Sequence, residues 1–344
     1  MQSKTQKIIV TGGMGYIGSH TVVALINSGY SIVIIDNLYN SNMAVLKSIS
    51  EITGVTPEFE NIDMTDDNKT AQFFKRHNDA VAVINFAALK AVGESVEKPI
   101  WYYKNNLNIL LNVLEGMENN AIKNVIFSSS ATVYGLPDVL PITEGAETKR
   151  PTSPYGNTKK IAEEIMEDFL KVQPNFKGIS LRYFNPIGAH ESGKIGELPT
   201  GIPNNLMPFI TQTAVGIRKE LKIFGKDYNT HDGTALRDYI HVVDLAEAHV
   251  KALNRLLNED ANENFEVFNL GTGIGYSVLD VVKSFEKTSK QKLNYSFEDR
   301  REGDVPELYA NPSKANEILG WNATLTLDDM TSSSWNWEQK VRNS

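Results

Sequence analysis

The sequence predicts an α/β fold: a doubly wound parallel sheet with helices on both faces, joined to a smaller α+β domain. Three observations predict it. Short runs rich in Val, Ile and Phe alternate with amphipathic stretches through the first half of the chain. Those runs are apolar nearly throughout rather than at every second residue, as in strands buried on both faces of a parallel sheet. From about residue 186 the alternation gives way to NPIGAHESGKIGELPTGIPNN, rich in Gly, Pro and Asn, and then to mixed patterns.

Taken in order, KIIVTGG, YSIVIIDN, TPEFENID, AVAVINFAA and KNVIFSSS read as the first five strands, each ending in turn or polar residues. Helices are expected over 17–28, 66–77, 99–118 and 153–172, between and after them. GISLRYF reads as a sixth strand and FEVFNLGTG as a later one. A loop as long as the one after residue 186 is more often functional than idle in a compact protein. The expected domains are 1–185, with 238–273 returning to it, and 186–237 with 274–344.

A chain of 344 residues is long enough for two domains and a sizeable core. Its net charge of −8 argues against nucleic acid or an anionic membrane as partner. There is no cysteine, so disulfides, thiolate ligands and a Cys nucleophile are excluded. The six histidines show no metal-type spacing, and no metal site is expected. No apolar run reaches the length of a membrane span or a signal peptide, which predicts a cytoplasmic protein.

TGGMGYIGSH follows the first expected strand and opens a helix, with glycines at Gly12, Gly15 and Gly18. The first permits a tight turn, the second lets the backbone approach a pyrophosphate, and the third allows close packing of helix on strand. With Tyr16 and Ile17, this turn presents the helix N-terminus and its positive dipole end to phosphates. The second strand ends in Asp36, whose carboxylate suits the adenosine ribose hydroxyls and repels a 2′-phosphate. Together these describe a Rossmann-type site for NAD rather than NADP.

In SPYGNTK, Ser153 reads as a helix N-cap and Pro154 as the first helical residue. Tyr155 and Lys159 then lie one turn apart on one face. A phenol is a poor base at neutral pH, but neighbouring positive charge favours its ionised form, so the ammonium of Lys159 and a cationic nicotinamide are expected to lower its pKa. Ser130 stands at the end of the fifth strand, where ligands bind in such sheets. A Ser, Tyr and Lys in this order behind a dinucleotide turn form a candidate catalytic set.

On these motifs, and on FAALKAVGESVEKP, SSSATVYG, LRYFNPIGAH, GIPNNLMPFI, LRDYIHVVDLAEAH and REGDVPELYA, the chain resembles the extended short-chain dehydrogenase/reductase family and, within it, the nucleotide-sugar 4-epimerases. The resemblance covers nearly the whole chain. It implies reversible C4 epimerisation of UDP-glucose and UDP-galactose through a 4-keto sugar, with tightly bound NAD and a homodimer built on the 99–118 and 153–172 helices. It places Asp36, Asn37, Asn40, Asp63 and Met64 at the adenosine, with Phe86, Ala87, Ala88 and Lys90 along the turn after the fourth strand. Asn105 and Phe184 complete the cofactor set, and Ala88 replaces a glycine usual in the family. For the substrate it implies Ser130 and Tyr155 at the reacting hydroxyl and Asn185, Asn205 and Leu206 along the sugar and phosphates. Arg237 and Arg301 fall to the diphosphate, Asp304 to the nucleotide ribose, and Leu308 to the position that gates sugar size. The resemblance leaves two alternatives: an epimerase acting also or mainly on UDP-N-acetylhexosamines, and a nucleotide-sugar 4,6-dehydratase, whose Thr-Asp-Glu is replaced here by Ser130-Ala131-Thr132.

Overall fold

The computed structural model describes residues 5–301 and 304–343. Its first half runs β1 (Lys7–Thr11), α1 (Tyr16–Asn27), β2 (Ser31–Asp36), α2 (Ala44–Thr53), β3 (Glu58–Asn61), α3 (Asp67–Arg76), β4 (Ala80–Asn85), α4 (Val92–Glu97), α5 (Pro99–Asn119), β5 (Asn124–Ser130), α6 (Pro154–Val172) and β6 (Lys177–Tyr183). Then follow β7 (Asn185–Ile187), α7 (Leu206–Ala214), β8 (Leu221–Phe224), β9 (Leu236–His241), α8 (Val242–Leu257) and β10 (Phe265–Leu270). Last come β11 (Gly275–Ser277), α9 (Val278–Ser289), β12 (Tyr295–Glu298), β13 (Glu307–Leu308) and α10 (Leu327–Asn343). Among the described residues no helix is long and apolar enough to cross a membrane.

Seven strands form one sheet in the order β10-β6-β5-β4-β1-β2-β3, and the pairings from β5 across to β3 are parallel. The order reverses between β1 and β4. At such a reversal the turns after neighbouring strands diverge, leaving room for a ligand beyond their carboxyl ends. The strands form because their side chains find apolar partners on both faces: β1 and β2 are buried apart from their first residue. Ile9, Val33, Val83 and Val125 of the sheet share a core with Phe73 and Phe74 of α3, Leu110 and Leu114 of α5, and Met166 and Leu170 of α6. Local chemistry sets the helix starts. Asp66 caps α3 by accepting from Lys69 N at 3.1 Å, and Ser153 Oγ caps α6 by accepting from Gly156 N at 3.1 Å with Pro154 just inside.

The chain divides into two compact units. The first takes residues 1–135, 147–182 and 246–268 and carries the seven-stranded sheet. The second takes 136–146, 183–245 and 269–344. These boundaries depart from the expected ones, and strand pairing gives the reason. β9 does not return to the large sheet; it runs parallel to β7 and β13 and antiparallel to β11. Residues 136–146 belong to the second unit because Ile142 exchanges backbone hydrogen bonds with Tyr309 and Asn311, at 3.0 and 2.7 Å. That unit has its own core, in which Ile210 of α7, Val281 and Phe285 of α9 and Met330 of α10 pack with Ile187 and Tyr239.

Candidate active site

In the first unit the glycine turn is closed by the chain's own backbone. Gly12 has φ +66°, and a Cβ there would lie 2.8 Å from Ala87 N, on the turn after β4. A Cβ on Gly18 would lie 2.3 Å from Gly12 O, so only glycine lets α1 start this close to β1. Gly15 is the N-cap of α1 and provides no side-chain cap, and a Cβ there would meet only Gly12 O, at 3.2 Å. A helix N-terminus left uncapped beside an open glycine is a fit for a phosphate. Tyr16 and Ile17 open α1, and the exposed Lys90 ammonium stands 6.0 Å from the Tyr16 ring centroid.

Asp36 ends β2 and is 9% exposed. Burial pushes its carboxyl up, against hydrogen bonds from Leu38 N (2.8 Å), Met14 N (3.1 Å) and Ser41 Oγ (3.2 Å). The backbone reverses at Leu38, whose φ of +59° is uncommon for a bulky side chain. Asn37 reaches Asp63 Oδ2 at 3.4 Å and joins the ends of β2 and β3, with Asn40 three residues beyond. At Asp63 burial acts to raise the pKa, but hydrogen bonds from the Thr65 amide and hydroxyl and from Asn37 outweigh it and hold it low. Met64 turns its side chain into the core, leaving its backbone for any ligand contact. A carboxylate at the end of β2 and a polar rim at β3 fit the adenosine half of NAD.

After β4, Phe86, Ala87 and Ala88 are half-buried. Thr11 Oγ1 accepts from Ala87 N (3.2 Å) and donates to Asn85 Oδ1 (2.6 Å), fixing this turn to β1. Asn105 is half-buried on α5, but its neighbour Asn106 makes the connections, and the sequence reading missed it. Asn106 accepts from Leu89 N (2.8 Å) and donates to Leu89 O (3.0 Å) and Thr158 Oγ1 (3.1 Å). Thr158 in turn donates to Tyr155 O at 2.7 Å. The cofactor-side turn and the start of α6 are thus tied together through one amide. Adjacent asparagines look alike in sequence, and only the helical phase separates them.

Ser130, Tyr155 and Lys159 come together as expected. Ser130 caps a 3-10 turn, Ala131–Tyr134, accepting from Thr132 N at 3.2 Å, and shares a hydrogen bond with the Tyr155 phenol. Tyr155 is half-buried, and loss of hydration around its oxygen pushes the phenol up to about 12, the Ser130 bond acting the other way. The expected lowering by Lys159 is not seen in the chain alone. The Lys159 ammonium is 6.0 Å from the Tyr155 ring centroid, spends its short hydrogen bond on Ser128 O (2.6 Å) and lies 4.8 Å from the Phe127 centroid. Burial pulls Lys159 down to about 8, opposed by the negative charge of Glu163.

The second unit holds the remaining candidates. Phe184 is buried, its N–H donating to Leu270 O at 3.1 Å. Asn185 opens β7 and donates to Asp238 O (3.1 Å), beside Arg237 on β9. Arg237 Nη1 donates to Leu236 O (2.7 Å) and Val305 O (3.0 Å), while Nη2 is paired with Asp304. Leu308 sits across from Arg237 in the β9–β13 pairing. Arg301 lies over the Phe224 ring, 4.1 Å from its centroid. Phe224 was not singled out from the sequence; the β8–β12 register, which sets Glu298 opposite it, brings Arg301 within reach. Asn205 is exposed at the N-cap of α7 and donates to Glu197 Oε1 (2.6 Å) instead of capping, with Leu206 next to it. Glu302 and Gly303 of the REGD stretch lie outside the described residues.

A family model described as GDP-mannose 4,6 dehydratase matches residues 9–333. The UDP-glucose 4-epimerase of Bacillus subtilis is 52% identical over 336 residues, covering 98% of each chain. That of Drosophila melanogaster is 50% identical over 343 residues, 98% of this chain and 97% of its own. Among solved structures, Bifidobacterium longum UDP-glucose 4-epimerase in complex with NAD+ and UDP superimposes with a TM-score of 0.93 at 47% identity, covering 98% of this chain and 99% of that one. The enzyme from Stenotrophomonas maltophila, with bound NAD and formylated UDP-arabinopyranose, gives 0.94 at 43% identity over 98% and 99%. Half the residues shared end to end, with the sheet order and the Ser-Tyr-Lys set in place, settles the kinship: the chain belongs to the family of that model and, within it, to the UDP-glucose 4-epimerases of the extended short-chain dehydrogenases/reductases.

Proposed function

We propose that the protein interconverts UDP-glucose and UDP-galactose by inverting C4 of the hexose, with NAD held throughout. One observation carries the reading: Ser130, Tyr155 and Lys159 converge on the same parallel sheet whose glycine turn and Asp36 fit a dinucleotide. Relatives of the same activity at half identity over the whole length support it. The residues that would hold the cofactor in this reading are Gly12, Gly15, Tyr16, Ile17, Gly18, Asp36, Asn37, Asn40, Asp63, Met64, Phe86, Ala87, Ala88, Lys90, Asn105 and Phe184, with Ser130, Tyr155 and Lys159.

When bound, NAD supplies a hydride acceptor and donor for the sugar's C4. Tyr155 takes the proton of the 4-hydroxyl and later returns one to the 4-keto oxygen, which makes a single group both base and acid. Ser130 hydrogen-bonds the same oxygen. Lys159, fixed by Ser128 O, holds a positive charge 6.0 Å from the phenol ring centroid; the chain alone does not lower the phenol with it, and in this reading the lowering needs the filled site. Arg237 and Arg301 bind the diphosphate, a task suited to the guanidinium fork. Asp304 accepts from the nucleotide ribose, while Asn185, Asn205, Leu206 and Leu308 bound the sugar side. Holding the nucleotide firmly and the hexose loosely lets the keto sugar present its other face. The protein works in the cytoplasm as a homodimer in this reading.

Incubation with UDP-galactose and no added NAD tests it. UDP-glucose should form, and Tyr155→Phe should lower kcat by about 10²–10⁴-fold while the protein still retains NAD. Release of a 4-keto-6-deoxy sugar, or the absence of any UDP-glucose, sinks the reading.

A further inference from the structure

One buried polar cluster of the first unit has no task in this chemistry. Glu163, on α6 one turn beyond Lys159, is 6% exposed. It accepts from Arg182 Nη2 (2.6 Å), from Arg182 Nε (3.0 and 3.2 Å to its two oxygens) and from Ser180 Oγ (2.6 Å). Arg182, equally buried, sends Nη1 to Tyr134 Oη at 2.8 Å and lies 4.7 Å from that ring's centroid. Tyr134 is fully buried and closes the 3-10 turn that Ser130 opens.

The cluster therefore runs from the Ser130 turn, through β6, to the helix that carries Tyr155 and Lys159. A buried ion pair is weak evidence of stabilisation, because apolar residues of similar volume often serve the fold as well or better. Its cost is easier to explain when fixed geometry or fixed charge is needed. We propose that Glu163 and Arg182 are a positioning pair for the reaction: through Tyr134 they lock the Ser130 turn onto α6, and Glu163 holds the counter-charge that keeps Lys159 an ammonium. The proposal rests on the roles given above to Ser130, Tyr155 and Lys159.

The surroundings of Lys159 agree. From α6, Tyr155 and Glu163 face it; from β5 come the Ser128 carbonyl oxygen and the Phe127 ring. Arg182 and Ser180 from β6 meet Glu163, and Tyr134 from the 3-10 turn meets Arg182 in turn. Burial lowers Lys159, and the negative charge of Glu163, one helical turn away, opposes it.

The test is the pH profile of kcat for UDP-galactose, measured on NAD-loaded wild type and on Glu163→Gln, with folding checked by circular dichroism. Loss of the carboxylate should lower the pKa of Lys159 and move the alkaline limb down by about 0.5 unit or more. The pH dependence of the melting temperature, read without substrate, should move the same way. Should Glu163→Gln not fold, Arg182→Met removes the cation that offsets the Glu163 carboxylate, and the alkaline limb should then move up; an unmoved limb there overturns the charge role equally. Tyr134→Phe should lower kcat about tenfold with KM and both limbs unmoved, since it loosens the Ser130 turn and changes no charge. A folded variant with the alkaline limb in place overturns the charge role, and a wild-type kcat in Tyr134→Phe overturns the locking role. Failure of the functional reading looks different, because wild type itself would then not convert UDP-galactose.

Discussion

Lys159 is an ammonium buried where its charge is costly. Its folded pKa of about 8 lies below the ordinary 10.5, so between these values the unfolded chain binds more protons. Stability at this group accordingly rises with pH across that window, and the full cost is present below about pH 8. Lys159→Met should therefore stabilise the protein at pH 7 by on the order of 1–3 kcal/mol, after loss of the Ser128 bond, while removing most activity. Urea unfolding at pH 7 and pH 10 checks it: the gain should shrink at the higher pH, and destabilisation at pH 7 would refute the sign. The roles of Tyr155 and Lys159 were legible because a helix writes its faces into sequence at a spacing of four, with Ser153 and Pro154 marking where the helix begins. Glu163 has the same spacing from Lys159 and went unnoticed. Its partners Arg182 and Ser180, and Tyr134 beyond Arg182, come from other segments, and only the fold brings them together.

The glycines of elements show the same division between local and distant causes. The Gly18 requirement is local, since the atom a Cβ would strike, Gly12 O, belongs to the same turn. Gly116 of α5 is different: a Cβ there would lie 2.3 Å from Phe74 of α3, a contact no motif announces. Both Gly→Ala substitutions should destabilise by about 1–3 kcal/mol through overpacking. They should differ in ligand binding, with Gly18→Ala losing NAD and Gly116→Ala keeping it, as read by calorimetric titration and thermal melts. Equal loss of NAD in both would refute the assignment of the turn. The strands of the large sheet were legible because runs such as SIVIID are apolar on both faces. The second unit was not, because its strands β7, β11 and β13 span two or three residues and owe their existence to pairing with β9.

At the scale of the whole molecule, α5 leaves Ile100 72% and Leu111 48% exposed, eleven residues or about three turns apart and thus on one side of the helix. If this face joins two copies, the protein should sediment as a dimer of 38.3 kDa chains, and Ile100→Glu with Leu111→Glu should give a folded monomer. Unchanged sedimentation of that double variant would place the dimer contact elsewhere. The interleaving of the units also bears on how the chain comes off the ribosome. β10 closes the large sheet beside β6, yet it is made about eighty residues later, after α7, β8, β9 and α8. During that interval β6 stands as a bare edge, the kind of surface on which strands of other molecules can add. At a few to some twenty residues per second, the exposure lasts roughly 4–16 s. In that window a nascent chain depends on chaperones, or on rapid arrival of its own last strand, to stay out of aggregates.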